Sequence, residues 1–254
     1  MFSRGTAILS IVMAVTALGL IGAHGASGAE GRGNAPVVVE LFTSQGCSSC
    51  PPADALVEKL ADRPGIIVIS WPVHYWNYLG WRDTFSRKLF TKRQKAYMHS
   101  FDERFVYTPQ IVVNGRREMV GSKKEKVLAA IEEAAEDRDF VPMAVEHAGQ
   151  QIMLKIDSGK ADAPATVWMI DILSKKDVAI NGGENAGRII TYTNIARDVR
   201  RIGTWEGARQ TLMLDKSELM AGDGDGCTIL LQEGETGPIR GALEIPEAVL
   251  TAGR

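Results

Sequence analysis

The chain has 254 residues, 45% of them hydrophobic and 24% charged, a composition that supports a buried core and excludes a disordered or low-complexity protein. A net charge of −2 provides no basic surface to hold nucleic acid or an anionic membrane. Three cysteines are too few for a disulfide scaffold, so one pair and one leftover fit a functional or local bridge better.

The first segment reads as a targeting sequence. Arg4 follows the amino terminus, residues 6–23 are uncharged and apolar-rich, and Ser27-Gly28-Ala29 supplies small residues for cleavage. This pattern predicts a secretory signal peptide over 1–29, with an uncleaved anchor as the alternative. Export puts Cys47, Cys50 and Cys227 in an oxidising compartment, periplasmic or outside the cell, with no membrane attachment after cleavage.

After a Gly-rich leader (30–36), the run 37–42 reads as a buried strand. Residues 51–61 follow as a helix with Ala53, Leu56, Val57 and Leu60 on one face. Pro51-Pro52 belongs in its first turn, where missing N–H donors matter least. Residues 66–71 form a second buried strand. Residues 71–81 hold five aromatics, Trp71, Tyr75, Trp76, Tyr78 and Trp81, which either make an apolar platform or pack a loop. A helix is predicted over 84–99, with the basic residues 87, 88, 92, 93 and 95 as a solvated face. Asn114-Gly115 marks a hairpin between 110–113 and 118–120. Ser122 and Glu125 form a capping box ahead of a helix that buries Val127, Leu128, Ile131, Ala134 and Ala135.

Beyond Pro142 helical periodicity fades. Short runs at 143–146, 152–156, 165–173, 189–192, 211–214, 228–231 and 239–245 predict strands, and together a β-sandwich. Asp223-Gly224-Asp225-Gly226 lacks the later positions of a calcium loop and reads as a turn. Cys227 reads as a buried packing residue.

Cys47-Ser48-Ser49-Cys50 carries the chemistry. Two thiols at this spacing can close one disulfide at a helix start, a setting suited to dithiol–disulfide exchange. A fixed local disulfide or half of a zinc site would use the same spacing. Zinc needs four ligands, there is no second CxxC, and His24, His74, His99 and His147 are scattered, so no metal and no cofactor is expected. Copper held by the two thiols and His74 is a further alternative.

The strand, CxxC, helix, strand and Thr108-Pro109 before a hairpin resemble the thioredoxin fold over 36–136. The whole chain resembles a family of secreted bacterial proteins with a thioredoxin-like first half, catalogued as a domain of unknown function. The resemblance is carried by residues 41–54, Tyr75-Trp76, Leu79-Gly80-Trp81, Thr108-Pro109-Gln110, Gly183-Glu184-Asn185 and Gly237-Pro238-Ile239. Where that family has acidic residues beside Tyr75-Trp76, this chain has His74 and Asn77.

The resemblance implies an α/β thioredoxin-like domain at 30–140 followed by a mostly-β, sandwich-like domain at 141–254. It implies an exposed nucleophilic Cys47 and a buried resolving Cys50, acting on protein or peptide thiols with an unidentified redox partner. It also implies a cis Thr108–Pro109 bond facing the disulfide, with the Thr108 backbone, Tyr75, Trp76 and Trp81 meeting substrate. Glu40 would be a buried proton acceptor, although it lies seven residues before Cys47 where thioredoxin-like enzymes place an acid six before. A salt-bridged, purely structural Glu40 is the alternative. For the protein as a whole, a non-catalytic binding or scaffold module with a structural disulfide is the rival reading.

Overall fold

The computed structural model describes Met1 and residues 35–219, 222–245 and 249–250. Apart from Met1, the segment read as a signal peptide lies outside the described residues. Strand β1 (Val37–Thr43) runs into helix α1 (Pro51–Ala61), strand β2 (Ile66–Pro72) and helix α2 (Lys88–Ser100). The hairpin β3 (Gln110–Val113) and β4 (Arg117–Val120) precedes helix α3 (Lys124–Ala134). Then follow β5 (Met143–Ala148), β6 (Gln151–Ile156), β7 (Ala165–Ala179), β8 (Ile189–Trp205), β9 (Gln210–Asp215), the short α4 (Lys216–Leu219), β10 (Gly226–Glu233) and β11 (Ile239–Ile245).

The architecture is mixed α/β, built on one large eight-stranded sheet in the order β11-β10-β7-β8-β2-β1-β3-β4, with a smaller sheet β5-β6-β9. β1 and β2 are parallel and both reads of their sequence as continuous apolar runs fit strands buried on two faces. One face of β1–β3 (Val37, Val39, Leu41, Val68, Ile111, Val113) packs on α1 and α3. The other (Val38, Phe42, Ile69, Trp71, Val112) packs with Phe90 and Tyr97 of α2 and with Ile170, Leu230 and Ala242 of the later strands. Alternate residues of those strands, among them Val167, Ile229 and Leu231, cluster with Ile152, Leu154 and Ile156 of the small sheet. The region after Pro142 is thus mostly β, as expected, with four of its strands belonging to the same large sheet as β1–β4.

The boundary expected at 140–141 does not divide the large sheet. β2 joins β8 in parallel through Ser70 and Ile195, and the Ser70 hydroxyl donates to the Thr193 carbonyl. β11 also meets the β3–β4 turn, since the Ile239 N–H donates to the Asn114 carbonyl. Gly33–Arg254 is one compact unit, distinct from Met1–Arg32.

Several local expectations are corrected. α2 starts at Lys88, not 84, because the Asp83 carboxylate takes up the N–H groups of Phe85 and Ser86 in a turn. The Ser122–Glu125 capping box does not form, as Lys123 is the N-cap and has no side-chain cap. β7 and β8 reach 15 and 17 residues, well beyond the predicted 165–173 and 189–192. The extra length of β7 is largely polar and exposed, whereas that of β8 mixes the buried Ile195, Ala196 and Trp205 with charged side chains, of which Arg197 pairs with Asp223 and Arg200 with Asp171. Among the described residues no helix is long and apolar enough to cross a membrane.

Candidate functional site

Cys47 and Cys50 form a disulfide where β1 passes into α1. Cys50 is the N-cap of α1, and its carbonyl accepts from the Ala53 and Asp54 N–H groups. Pro51 and Pro52 fill the first helical positions, where no N–H partner is needed. The sulfurs therefore sit at the positive end of a helix, which favours a thiolate.

Both cysteines are buried, Cys47 being 1% exposed, which corrects the expectation of an exposed first cysteine. The turn between β7 and β8 reaches this corner. Between β7 and β8 the chain turns tightly, with Gly183 and Gly187 at positive φ. A Cβ at Gly182 would lie 2.7 Å from the Gly80 carbonyl oxygen, so only glycine fits that approach. The turn delivers Asn185, fully buried, whose amide donates to the carbonyls of Gln45 (3.0 Å) and Cys47 (2.9 Å). Glu184 accepts from the Ser48 N–H at 3.3 Å. Ser48 and Ser49 remain exposed between the two cysteines.

Thr108 and Pro109 lie beside the pair. Their peptide bond is cis. The Ser49 hydroxyl donates to the Thr108 carbonyl, and the Trp76 indole N–H donates to the Thr108 hydroxyl at 2.7 Å. Trp76 also lines Gly46, and the Trp81 indole donates to Gln45 Oε1. Tyr75 stacks obliquely near Trp76, at 6.0 Å between ring centroids, and burial pushes its phenol up to about 12. The aromatic run is thus mostly packed structure. Trp71 is core, and of the five only Tyr78 stands well exposed.

Glu40 does not belong to this site. On β1 it shares a face with Val38 and Phe42, the side covered by α2, whereas α1 covers the face of Val39 and Leu41. Side chains alternate along a strand, so the one extra residue between Glu40 and Cys47 turns the carboxylate to the opposite face. There it pairs with Arg93 at 2.7 Å and accepts from the Tyr97 hydroxyl. Burial opposes the Arg93 charge, but Glu40 and Tyr97 beside it outweigh this and keep its pKa raised. Gln232 of β10 completes the cluster by accepting from Arg93 and donating to Tyr97. Arg93 therefore leaves the solvated basic face predicted for its helix, while Lys88, Lys92 and Lys95 stay on it.

An acid that sequence reasoning passed over does lie by the cysteines. Asp54, one turn after Cys50, is buried, and Thr43 of β1 donates to its Oδ1 at 2.8 Å while Oδ2 has no partner. Burial pushes its pKa up to about 8, against the pull of the Thr43 hydrogen bond and with a further push from Asp83. Asp83 is itself raised by burial, although it accepts from the N–H groups of Gln45, Phe85 and Ser86. An S/T residue at the end of the strand and an acid four after the second cysteine were the available sequence signals.

His74 turns its ring to the Thr91 hydroxyl at 2.7 Å, and the two thiols are joined to each other, so the copper arrangement is not assembled. Among the described residues no three His, Cys, Asp or Glu side chains gather as metal ligands. Cys227 is a buried free thiol in β10, pushed up to about 12 by burial. Asp223 and Asp225 form the expected turn, held by Arg197 and Ser174.

Comparison with known proteins places this chain among relatives. Residues 38–232 match the family described as "Protein of unknown function (DUF1223)". A crystal structure of protein AGR_C_4864 from Agrobacterium tumefaciens is similar at 32% identity and a TM-score of 0.73, covering 85% of this chain and 96% of that one. HBP35 of Porphyromonas gingivalis shares the fold alone, at 12% identity and a TM-score of 0.58 over 84% of this chain and 75% of that one. Nothing among the curated proteins matches. The family match over most of the chain, together with the Agrobacterium relative, shows that this protein is a member of the DUF1223 family.

Proposed function

We propose that this protein is an exported thiol–disulfide oxidoreductase, periplasmic or secreted, that exchanges its Cys47–Cys50 disulfide with protein or peptide thiols. In this reading 30–140 is a thioredoxin-like half, and 141–254 supplies the turn that reaches the disulfide corner. The observation that carries it is the position of the disulfide. Cys50 caps α1, both sulfurs lie at the helix's positive end, and Thr108-Pro109 stands alongside through Ser49. Cys47 takes the substrate sulfur, Cys50 resolves the mixed disulfide, and Thr108, Tyr75, Trp76 and Trp81 border the path a peptide would take. A separate redox partner restores the disulfide.

Burial of Cys47 favours a second reading, a binding or scaffold module whose disulfide only fastens the β1–α1 corner. Trapping separates the two. With Cys50→Ser, a peptide disulfide should leave a mixed disulfide on Cys47, located by mass mapping, and Cys47→Ser should leave none. No adduct on Cys47 in the folded Cys50→Ser protein would support the scaffold reading.

A further inference from the structure

We infer that Asp54 is the acid–base residue for Cys50, giving its proton to the Cys50 sulfur when the disulfide opens and taking it back when the disulfide closes. This rests on the exchange reading above. Asp54 and Cys50 are a helical turn apart on one buried face of α1, and helical side chains lean toward the preceding turn, which here contains Cys50. The Thr43 hydroxyl fixes one carboxyl oxygen and the other is free of partners, a costly state for a buried carboxylate and a useful one for a proton carrier. Of the titratable groups around Asp54, Asp83 also favours the neutral acid. Asp83 from the turn before α2 is a second buried carboxyl, and Tyr192 from β8 is a phenol raised first by burial, then by Asp54 and Asp83. β1 contributes the uncharged Thr43. Near neutrality Asp54 therefore holds a proton that it can release.

The step balances as follows. A substrate thiolate attacks Cys47 Sγ, the new S–S bond forms, and the Cys47–Cys50 bond breaks. Its electron pair stays on Cys50 Sγ, which receives the Asp54 proton. A second substrate thiolate then attacks the substrate sulfur of the mixed disulfide and Cys47 leaves as a thiolate, so the substrate dithiol has lost two electrons to the protein. If no second thiol arrives, the Asp54 carboxylate takes the Cys50 proton back, Cys50 attacks Cys47 Sγ, and the substrate leaves as a thiolate.

The test is the rate at which dithiothreitol opens the disulfide of the whole folded protein, followed from pH 6 to pH 9.5 and expressed per reagent thiolate. The wild type should be fast below about pH 8 and slow above it, as Asp54 loses its proton. Asp54→Asn should be slower by about a hundredfold below that pH and should show no inflection. Thr43→Val removes a hydrogen bond that lowers the Asp54 pKa, so its inflection should move to higher pH, a shift that a purely structural role would not produce. It also carries the test if Asp54→Asn does not fold. An Asp54→Asn profile that keeps the wild-type inflection, or a Thr43→Val profile that does not move, would overturn the role of Asp54 while leaving exchange intact. A wild-type disulfide that dithiothreitol cannot open without unfolding would overturn the exchange reading and this inference with it.

Discussion

The side-chain amide of Asn185 reaches across 138 residues of sequence to donate to the Cys47 carbonyl at 2.9 Å. A residue from the β7–β8 turn thereby fixes the backbone of the cysteine that opens the CxxC motif. Asn185→Ala should loosen this contact. It removes the side-chain donor to the Gln45 and Cys47 carbonyls, the latter keeping the Cys50 N–H, and should cost about 1–3 kcal/mol in a urea melt. It should also speed opening of the disulfide by dithiothreitol under native conditions. Unchanged opening kinetics would show that Asn185 does not limit access to the sulfurs.

Glu40 and Arg93 are nearly sealed from solvent and bonded in the core between β1 and α2. Glu40→Gln leaves a buried guanidinium without its counter-charge and should cost about 3–5 kcal/mol of stability. The rate of disulfide opening in the folded fraction should stay at the wild-type value, because Glu40 faces away from α1. A slower opening would return Glu40 to the chemistry.

Asp54 gives stability a definite pH slope. Its folded value is pushed up to about 8 from an ordinary 3.8, so the folded chain holds a proton that the unfolded chain releases. Below the unfolded value both states are protonated and burial of Asp54 costs least. As pH rises toward 8 only the unfolded chain ionises, so stability falls across that window. Asp83 acts in the same direction. Thermal melts of the oxidised protein should therefore fall from pH 4 to pH 8, and Asp54→Asn should flatten the slope.

Cys227 lies buried in β10, with its thiol pushed up to about 12. An alkylating reagent should leave it unmodified in the native protein and label it after unfolding. Peptide mapping of non-reduced protein should find Cys47 joined to Cys50 and Cys227 free. A bridge from Cys227 to either would contradict the site assignment.

Gly115 turns the β3–β4 hairpin at positive φ, and a Cβ there would collide with the Gly237 carbonyl oxygen. Gly115→Ala should therefore be destabilising by about 1–3 kcal/mol, read as a lowered midpoint in urea, through backbone strain and loss of the nearby Ile239–Asn114 contact.

The first half of the fold was legible because each signal there was local. The apolar runs of β1 and β2, the double proline opening α1 and the Asn-Gly turn each dictate their own geometry. The second half was readable as short strands but not as one sheet with the first. The β2–β8 junction and the Glu40–Arg93–Gln232 cluster join residues far apart in sequence, and no short-range period reports such pairing. The added lengths of β7 and β8 were not legible because charged side chains, exposed on β7 and paired on β8 as in Arg197 with Asp223, interrupt the apolar alternation. At the site, the cysteines announced themselves by spacing. Glu40 misled because strand parity, not proximity in sequence, decides which face it serves. The Asn185 bonds to the Gln45 and Cys47 carbonyls depend on tertiary placement, so a sequence pattern alone does not assign its role.

The most direct measurement is the equilibrium of the Cys47–Cys50 pair with a glutathione or dithiothreitol buffer, read by alkylation and mass mapping of the folded protein. An exchange-active pair should titrate between about −270 and −120 mV. Once reduced, it should be alkylated at Cys47 before Cys50. A pair that stays oxidised down to potentials below about −300 mV, or that reacts only when the protein unfolds, would contradict a catalytic role and leave the disulfide as a structural fastener.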